Sequence, residues 1–243
     1  MPKGRIKMQE FKTHLNVDIH DVDRNGVARA SALMRYIQSA AQSQLTENGM
    51  SYDALRGMNR AFLLSKITIE LNEAVRAYEP LVATTFPCNS RGYTFLRCYK
   101  LEKDGRTVGR AVAAWALIDT ESRALVRVND FDLGLDTYDP LDIPQSRIVI
   151  PSDIRTVGAY NVTYADTDQN NHMNNTRYPD MYSNFLPLSG KRIERITISY
   201  MNEAPAGDLL TVQRAEAMGA YYFRTLRSDG KINSEAEIRL TDV

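Results

Sequence analysis

The chain has 243 residues, of which 43% are hydrophobic and 25% are charged, as is typical of one large or two modest globular domains. Thirty basic and thirty acidic residues give a formal net charge of zero, which argues against a general nucleic-acid or membrane-surface binder. No apolar signal region follows Met1–Arg5, and no run approaches the roughly 20 apolar residues of a membrane span, so we expect a cytoplasmic protein.

The first half of the sequence predicts a strand, a helix and then several strands. The run 15–19 is strand-like, and Ser31 is a suitable N-cap for an amphipathic helix. The β-rich runs that follow are separated by turn signals, including Lys103-Asp104-Gly105 as a hairpin turn. The apolar helix positions are Leu33, Tyr36, Ile37, Ala40 and Ala41, and the β-rich runs are 61–71, 80–87, 93–101 and 108–119.

The second half predicts the same succession after a proline-containing stretch. Pro140, Pro144 and Pro151 interrupt residues 130–153, which have little periodicity and are interpreted as a linker. A short strand-like run at 161–164 precedes a helical stripe that stops near Pro187. The stripe is formed by Tyr178, Met181, Tyr182 and Phe185, and the later β-rich runs are 192–200, 209–216, 221–226 and 232–240.

Landmarks of the first half recur in the same order in the second half, which indicates an internal repeat. The first copy is longer between its landmarks, and the surplus corresponds to the stretch 47–61. We therefore predict an α+β chain of two modules, 1–129 and 154–243, each a curved antiparallel sheet around one helix. The paired landmarks are Asp21-Val22-Asp23-Arg24-Asn25 with Asp166-Thr167-Asp168-Gln169-Asn170, Ile67-Thr68-Ile69 with Ile196-Thr197-Ile198, and Asn72-Glu73-Ala74 with Asn202-Glu203-Ala204.

One short segment of the second module combines the groups needed to add water to a carbonyl carbon. Asp168, Asn170 and His172 are spaced by two, so their side chains point the same way if the backbone is extended. Asn174 or Asn175 can cap the following helix, whose N-terminal amides suit a developing oxyanion. A polar turn is the other interpretation, because Asn and Asp favour turns. The first copy has Val27 where the second has His172, which favours catalysis by the second module.

Other kinds of site fit the sequence less well. Asp21-Val22-Asp23-Arg24-Asn25-Gly26 begins like a calcium loop, but position twelve is Ala32, and Arg177 in the second copy, so the closing carboxylate is missing. The three histidines are too far apart to predict a zinc site. Cys88 and Cys98 alternate with apolar residues and are expected in the core. We expect no metal and no cofactor.

The segments 168–175 with Tyr178, 200–203 and 115–119 are the specific marks of a family resemblance. Through them the sequence resembles the acyl-acyl-carrier-protein thioesterase family, in its bacterial branch, over nearly the whole chain. The resemblance implies two tandem hotdog domains, each with a sheet wrapped around a long helix. It also implies functional roles for Asp168, Asn170, His172 and Glu203. Plant members carry a cysteine directly after the glutamate, where this chain has Ala204, so a cysteine nucleophile is excluded there.

The resemblance implies hydrolysis of fatty acyl-acyl carrier protein (ACP) thioesters, with release of a free fatty acid. An acyl-CoA thioesterase of the same fold and a non-catalytic acyl-binding protein are the alternatives. Either Glu203 activates a water molecule or Asp168 attacks the thioester carbonyl carbon directly. Glu73 is interpreted as the counterpart of Glu203 in the first module. The acidic carrier protein is the expected partner, and a homodimer is left open. Lys191, Arg192 and Arg195 are docking candidates or ordinary solvated charges, and Leu33, Tyr36 and Ile37 either line an acyl groove or pack internally.

Overall fold

The computed structural model describes residues 10–243, so the expectation about Met1–Arg5 lies outside the described residues. These residues form eleven strands and three α-helices. The helices are α1 (Ala30–Glu47), α2 (Tyr52–Gly57) and α3 (Tyr178–Ser183). The strands are β1 (Phe11–Asn16), β2 (Arg60–Leu71), β3 (Pro80–Pro87), β4 (Thr94–Lys103), β5 (Arg106–Asp119), β6 (Leu125–Val126), β7 (Arg155–Asn161), β8 (Lys191–Tyr200), β9 (Leu209–Ala217), β10 (Ala220–Leu226) and β11 (Ile232–Asp242).

The strands join into one sheet with the order β1-β3-β4-β5-β2-β8-β11-β10-β9-β7, and β6 pairs with β5. Read outward from the centre, each half has the same order, which confirms the predicted repeat. The two halves meet where β2 pairs antiparallel with β8. At this seam Thr68 lies opposite Thr197, and their buried hydroxyls are 3.2 Å apart. The Ile-Thr-Ile landmark of each module is therefore the strand segment that joins it to the other.

The threonine pair at the seam gives a testable stability effect. We expect Thr68→Val to lower the free energy of unfolding by about 1–3 kcal/mol, because it leaves the buried Thr197 hydroxyl without its partner. The double variant Thr68→Val/Thr197→Val should recover part of this loss, since both polar groups are then removed together. Urea denaturation of the wild type, Thr68→Val, Thr197→Val and the double variant measures both effects, and a fully additive double variant would contradict the pairing.

The helices differ more between the modules than the repeat predicts. Helix α1 has 18 residues and buries Leu33, Met34 and Ile37 against the sheet. Its counterpart is a 3-10 turn, Asn175–Arg177, followed by the six-residue α3, so the long second helix implied by the resemblance is absent from the described structure. Beyond α3 the amides of residues 184–186 each donate to the carbonyl three residues earlier, as in a 3-10 helix. The turn ends there because Pro187 has no amide hydrogen with which to continue it.

The eight β-rich runs predicted after the helices are confirmed to within a few residues. The two runs predicted before the D-x-D-x-N segments are wrong, because both strands end earlier and the chain turns. In the first module Asp18 caps a 3-10 turn by accepting from the His20 amide. In the second, Thr163 and Asp166 form a capping box around the corresponding turn. These local side-chain bonds outweigh the strand preference of the flanking apolar residues.

The stretch 131–154 between the modules contains no helix and no strand of the sheet. Its apolar residues cover the sheet face opposite α1. Ile143 packs with Phe86, Cys98 and Val112 of the first module, and Ile148 packs against the second. None of the helices within residues 10–243 has the length and apolar character required to cross a bilayer.

Candidate active site

The segment 168–172 is a tight turn, so the expectation of an extended backbone is wrong. The Asp168 amide donates to the His172 carbonyl over 3.2 Å, and the Asn171 amide donates to the Asp168 carbonyl over 2.9 Å. Asn171 takes a left-handed conformation with φ of 64° to close the turn. The side chains of Asp168, Asn170 and His172 nevertheless line one cavity.

His172 and Glu203 come together through backbone pairing between two distant segments. The Met173 amide donates to the Ala204 carbonyl over 2.8 Å, and His172 forms a β-bridge with Pro205. This places Nε2 of His172 at 3.3 Å from Oε1 of Glu203. Glu203 also lines the cavity, so the structure brings all four residues implied by the resemblance to one wall. The arrangement offers a carboxylate and an imidazole in direct contact.

Asp168 is fixed by neighbours from its own turn. Its Oδ1 accepts from the Asn170 amide over 2.8 Å, and its Oδ2 accepts from Nδ2 of Asn174 over 3.2 Å. Asn174 also caps the 3-10 turn, since its Oδ1 accepts from the Thr176 amide. At this helix end the Thr176 and Arg177 amides both donate to Asn174, so these two amides are not available to a developing oxyanion.

Asn170 is held by two residues of the first module that sequence reasoning did not single out. Its Oδ1 accepts from the Tyr52 hydroxyl over 3.0 Å and from Nη2 of Arg56 over 2.8 Å. Because both are donors, the amide oxygen faces α2, and Nδ2 has no hydrogen-bond partner in the described structure. The stretch 47–61 was identified as surplus length, but only the fold shows that its helix reaches the other module.

The first module uses its matching segment for structure alone. Asn25 donates through Nδ2 to the Leu188 and Lys191 carbonyls, at 2.7 and 3.0 Å. Its Oδ1 accepts from the Gly190 amide, so both ends of the Asn25 side chain are occupied by the second module. The D-x-D-x-N segments therefore reach across to each other's module, but only the second leaves an amide donor unused.

The backbone register corrects the twin assigned to Glu203. In the first module the Ala28 amide donates to the Val75 carbonyl over 2.7 Å, and this bond matches the one from Met173 to Ala204. Glu203 therefore corresponds to Ala74, one position after Glu73. The Glu73 carboxylate instead pairs with Arg106 at 3.0 Å on the surface. The second module therefore has both the imidazole of His172 and the carboxylate of Glu203, whereas the first module has Val27 and Ala74 at the matching positions.

The carboxylates that suggested a calcium loop are used by protein donors. Asp21 accepts from Arg35 and from the Tyr36 hydroxyl, and Oδ1 of Asp23 accepts from the Asn25 and Val27 amides. These bonds hold the turn in place, which favours a structural role over ion binding for this segment.

The cavity has a volume of about 910 Å³ and continues from the four residues into the first module. Arg35, Gln38 and Leu45 of α1 line it, whereas Leu33, Tyr36 and Ile37 pack internally instead. The docking candidates Lys191, Arg192 and Arg195 do not line the cavity. Arg192 donates to the Leu71 carbonyl, and Arg195 approaches Glu70 at 3.8 Å.

The environment of the two cysteines is that of core residues. Cys88 and Cys98 are both buried and unpaired, as expected for core residues. A side-chain hydrogen bond with Cys98, together with burial, raises the pKa of the Cys88 thiol, which keeps it protonated. At the position after Glu203 the buried Ala204 carries no reactive group.

Comparison with solved structures reveals the same fold in two thioesterases. An acyl-ACP thioesterase from Bacteroides thetaiotaomicron matches with a TM-score of 0.88 and 23% identity, covering 96% of this chain and 98% of that chain. The 12:0-ACP thioesterase from Umbellularia californica matches with a TM-score of 0.82 and 14% identity, with the same coverage of 96% and 98%. At these identities the likeness is one of fold, and it confirms the predicted tandem hotdog architecture.

Sequence comparison assigns the family. Oleoyl-acyl carrier protein thioesterase 2, chloroplastic, from Arabidopsis thaliana is 23% identical over 236 residues, which cover 85% of this chain. The chain spans 64% of the length of that curated relative. The family model of the acyl-ACP thioesterase N-terminal domain matches residues 8–132, and that of the C-terminal domain matches residues 151–242. The chain therefore belongs to the acyl-ACP thioesterase family.

Proposed function

We propose that this protein hydrolyses the thioester of a fatty acyl-ACP and releases the free fatty acid. The observation that carries the proposal is that Asp168, Asn170, His172 and Glu203 line one wall of a cavity that extends along α1. This cavity has room for an acyl chain beside a set of acid–base groups. The acidic carrier protein as partner, a cytoplasmic location and the division into modules 1–129 and 154–243 belong to the same proposal.

In the proposed reaction Glu203 acts as general base. It accepts a proton from a water molecule, whose oxygen bonds to the thioester carbonyl carbon. The unused Nδ2 donor of Asn170 stabilises the negative charge that develops on the carbonyl oxygen. The carbon–sulfur bond then breaks, and the proton passes to the leaving thiolate. His172, 3.3 Å from Glu203, orients that carboxylate and is placed to carry the proton.

Direct attack by Asp168 is the other route to the same products. It forms a mixed anhydride, which water then hydrolyses. The two bonds that fix the Asp168 carboxylate, from the Asn170 amide and the Asn174 side chain, favour an orienting role. A single turnover in ¹⁸O-labelled water separates the routes, since label in the Asp168 carboxylate would exclude direct water attack. We expect label in the released fatty acid alone.

Release of thiol from a panel of acyl-ACP thioesters tests the proposed function. The full chain should turn over at least one acyl-ACP, and comparison with the acyl-CoA of the same chain should show a preference for the carrier protein. Equal or faster turnover of acyl-CoA would replace ACP by CoA as the thiol carrier. The absence of turnover with every thioester would overturn the proposal.

The contacts from α2 lead to a prediction about positioning. Tyr52→Phe and Arg56→Met should each lower kcat about three- to tenfold with little change in KM, because each removes one bond that orients the Asn170 amide. Steady-state kinetics measures kcat and KM separately for each variant. Arg106→Met is the matched control, because this arginine lies on the surface of the same module and pairs with Glu73.

Asn170→Ala supplies the test of mechanism for these two positioning residues. In its background, Arg56→Met should cause no further loss of kcat, because the amide that Arg56 orients is gone. A further loss equal to that in the wild type would show that Arg56 acts by another route.

A further inference from the structure

Asn233 is a fully buried asparagine in β11 that bonds to the segment carrying Glu203. Its Nδ2 donates to the Asn202 carbonyl over 2.5 Å and to the Tyr178 hydroxyl over 2.9 Å. Its backbone carbonyl accepts from the Met201 and Asn202 amides, at 2.9 and 3.1 Å. Asn233 therefore holds the two residues that precede Glu203 through both its backbone and its side chain.

The Asn233 amide belongs to a larger set of buried polar groups. Its Oδ1 lies 2.9 Å from Oγ1 of Thr225 and 3.2 Å from Oγ of Ser234, and both hydroxyls are able to donate to it. Together with the two bonds of Nδ2, these contacts fill the hydrogen-bonding positions of the amide. The Ser234 hydroxyl also lies 2.8 Å from that of Tyr182. We call Tyr178, Tyr182, Thr225, Asn233 and Ser234 the buried polar network.

A tyrosine beside the buried polar network reaches the other segment of the site. The Tyr200 hydroxyl donates to the Asn175 carbonyl over 3.0 Å, and its ring packs edge-on against Tyr178 with centroids 5.0 Å apart. Asn175 directly follows Asn174, whose side chain donates to the Asp168 carboxylate. Tyr200 and the network thus bond to the backbone of both segments that carry site residues.

The first module has no such network at the matching positions. The Asn72 amide donates to the Val108 carbonyl over 2.8 Å, and this bond matches the one from Met201 to Asn233. The same offsets and strand registers align the other positions, each of which holds a buried apolar side chain or a glycine. The pairs are Tyr178 with Leu33, Tyr182 with Ile37, Tyr200 with Leu71, Thr225 with Leu101, Asn233 with Val108 and Ser234 with Gly109.

The apolar set of the first module shows that this fold does not require the network. Replacing hydrogen-bonded partners by apolar groups of the same shape is nearly neutral or stabilising, and a fully satisfied network rigidifies its surroundings. The network occurs in the module that carries His172 and Glu203, and it is bonded to the residue directly before Glu203. These observations favour a role in placing the Glu203 carboxylate over a role in stability alone.

We infer that Asn233 is a positioning residue, which holds the segment 201–203 so that the Glu203 carboxylate stays in contact with His172 in the cavity. This rests on the proposed function, because Glu203 is the general base of the proposed reaction. The bond from Nδ2 to the Asn202 carbonyl fixes the peptide that leads into Glu203. A small displacement of a reacting group lowers the rate strongly, so the orientation of this peptide controls kcat.

Steady-state kinetics of the full chain with an acyl-ACP tests this role. Asn233→Val copies the first module and should lower kcat about tenfold with KM within about twofold of wild type, because only the general base is displaced. Thr68→Val is the matched control, since it also removes a buried side-chain hydrogen bond but does not line the cavity. Its kcat should stay within about twofold of the wild-type value.

Two further variants separate positioning from a general effect on the fold. In the Glu203→Gln background, Asn233→Val should cause no further loss of kcat, because the carboxylate that it positions is gone. A further loss as large as that in the wild type would overturn the inference. Tyr178→Phe removes one acceptor that holds the Asn233 amide and should lower kcat about threefold, so the test remains valid if Asn233→Val does not fold.

Hydrogen–deuterium exchange supplies a readout that needs no catalysis. In Asn233→Val the Met201 and Asn202 amides should exchange about tenfold faster, because their segment loses its side-chain bond, whereas Thr68→Val should leave them unchanged. Unchanged kcat in Asn233→Val and Tyr178→Phe, or an equal loss of kcat in Thr68→Val, would overturn the inference. If exchange rises as expected but the wild type hydrolyses no thioester, the positioning of the segment stands and the proposed function fails.

Discussion

His172→Ala should lower thioester hydrolysis by at least about 10²-fold while the protein remains folded, because it removes the partner of the Glu203 carboxylate. Glu203→Gln should cause a loss of similar size, since glutamine keeps the shape but cannot accept the proton. The double variant should lose little more than either single variant, as is usual for groups that act as a unit. Single-turnover kinetics at saturating acyl-ACP measures the three losses, and circular dichroism confirms the fold.

Two matched controls accompany these variants. His14 lies exposed on β1 and does not line the cavity, so His14→Ala should leave hydrolysis unchanged. Glu73→Gln should also retain activity, because the register aligns Ala74, and not Glu73, with Glu203. Full hydrolysis by His172→Ala would remove the basis for the whole site, and a strong loss in Glu73→Gln would contradict the register.

The second large effect is expected on stability, at Tyr182. Tyr182→Ala should lower the free energy of unfolding by about 3–5 kcal/mol, because this fully buried ring leaves a cavity in the core. The ring packs on Phe223 with centroids 4.8 Å apart, and its hydroxyl bonds to Ser234 over 2.8 Å. Tyr182 is one of the buried side chains that anchor the short α3 to the strands of the second module. Guanidinium denaturation measures the change.

Tyr182→Phe measures the contribution of the Tyr182 hydroxyl to stability, and Tyr164→Ala is the control at an exposed tyrosine. Tyr182→Phe keeps the ring and loses only the hydroxyl bond, so about 1 kcal/mol is expected. Tyr164 is 90% exposed, and its replacement by alanine should change stability by no more than about 0.5 kcal/mol. A loss below about 1 kcal/mol in Tyr182→Ala would show that the α3 interface rearranges to fill the space.

Local patterns predicted most of the architecture because they depend on residues near in sequence. The alternation in 209–213 and the stripe from Leu33 to Ala41 each reflect the face that an element buries. Predictions failed where a side chain competes with the backbone, as Asp18 and Thr163 do when they cap turns. The string of Asp168, Asn170 and His172 indicated the site, although through a turn instead of an extended segment.

The sequence by itself determined that the chain is a repeat, that its second copy alone carries His172, and that it resembles one family. Only the tertiary structure decided that Glu203 matches Ala74 and that α2 delivers Tyr52 and Arg56 to Asn170. The physical reason is that these contacts follow from the pairing of β2 with β8 and from strand register. Both bring distant residues together, and neither leaves a periodic signal in the local sequence.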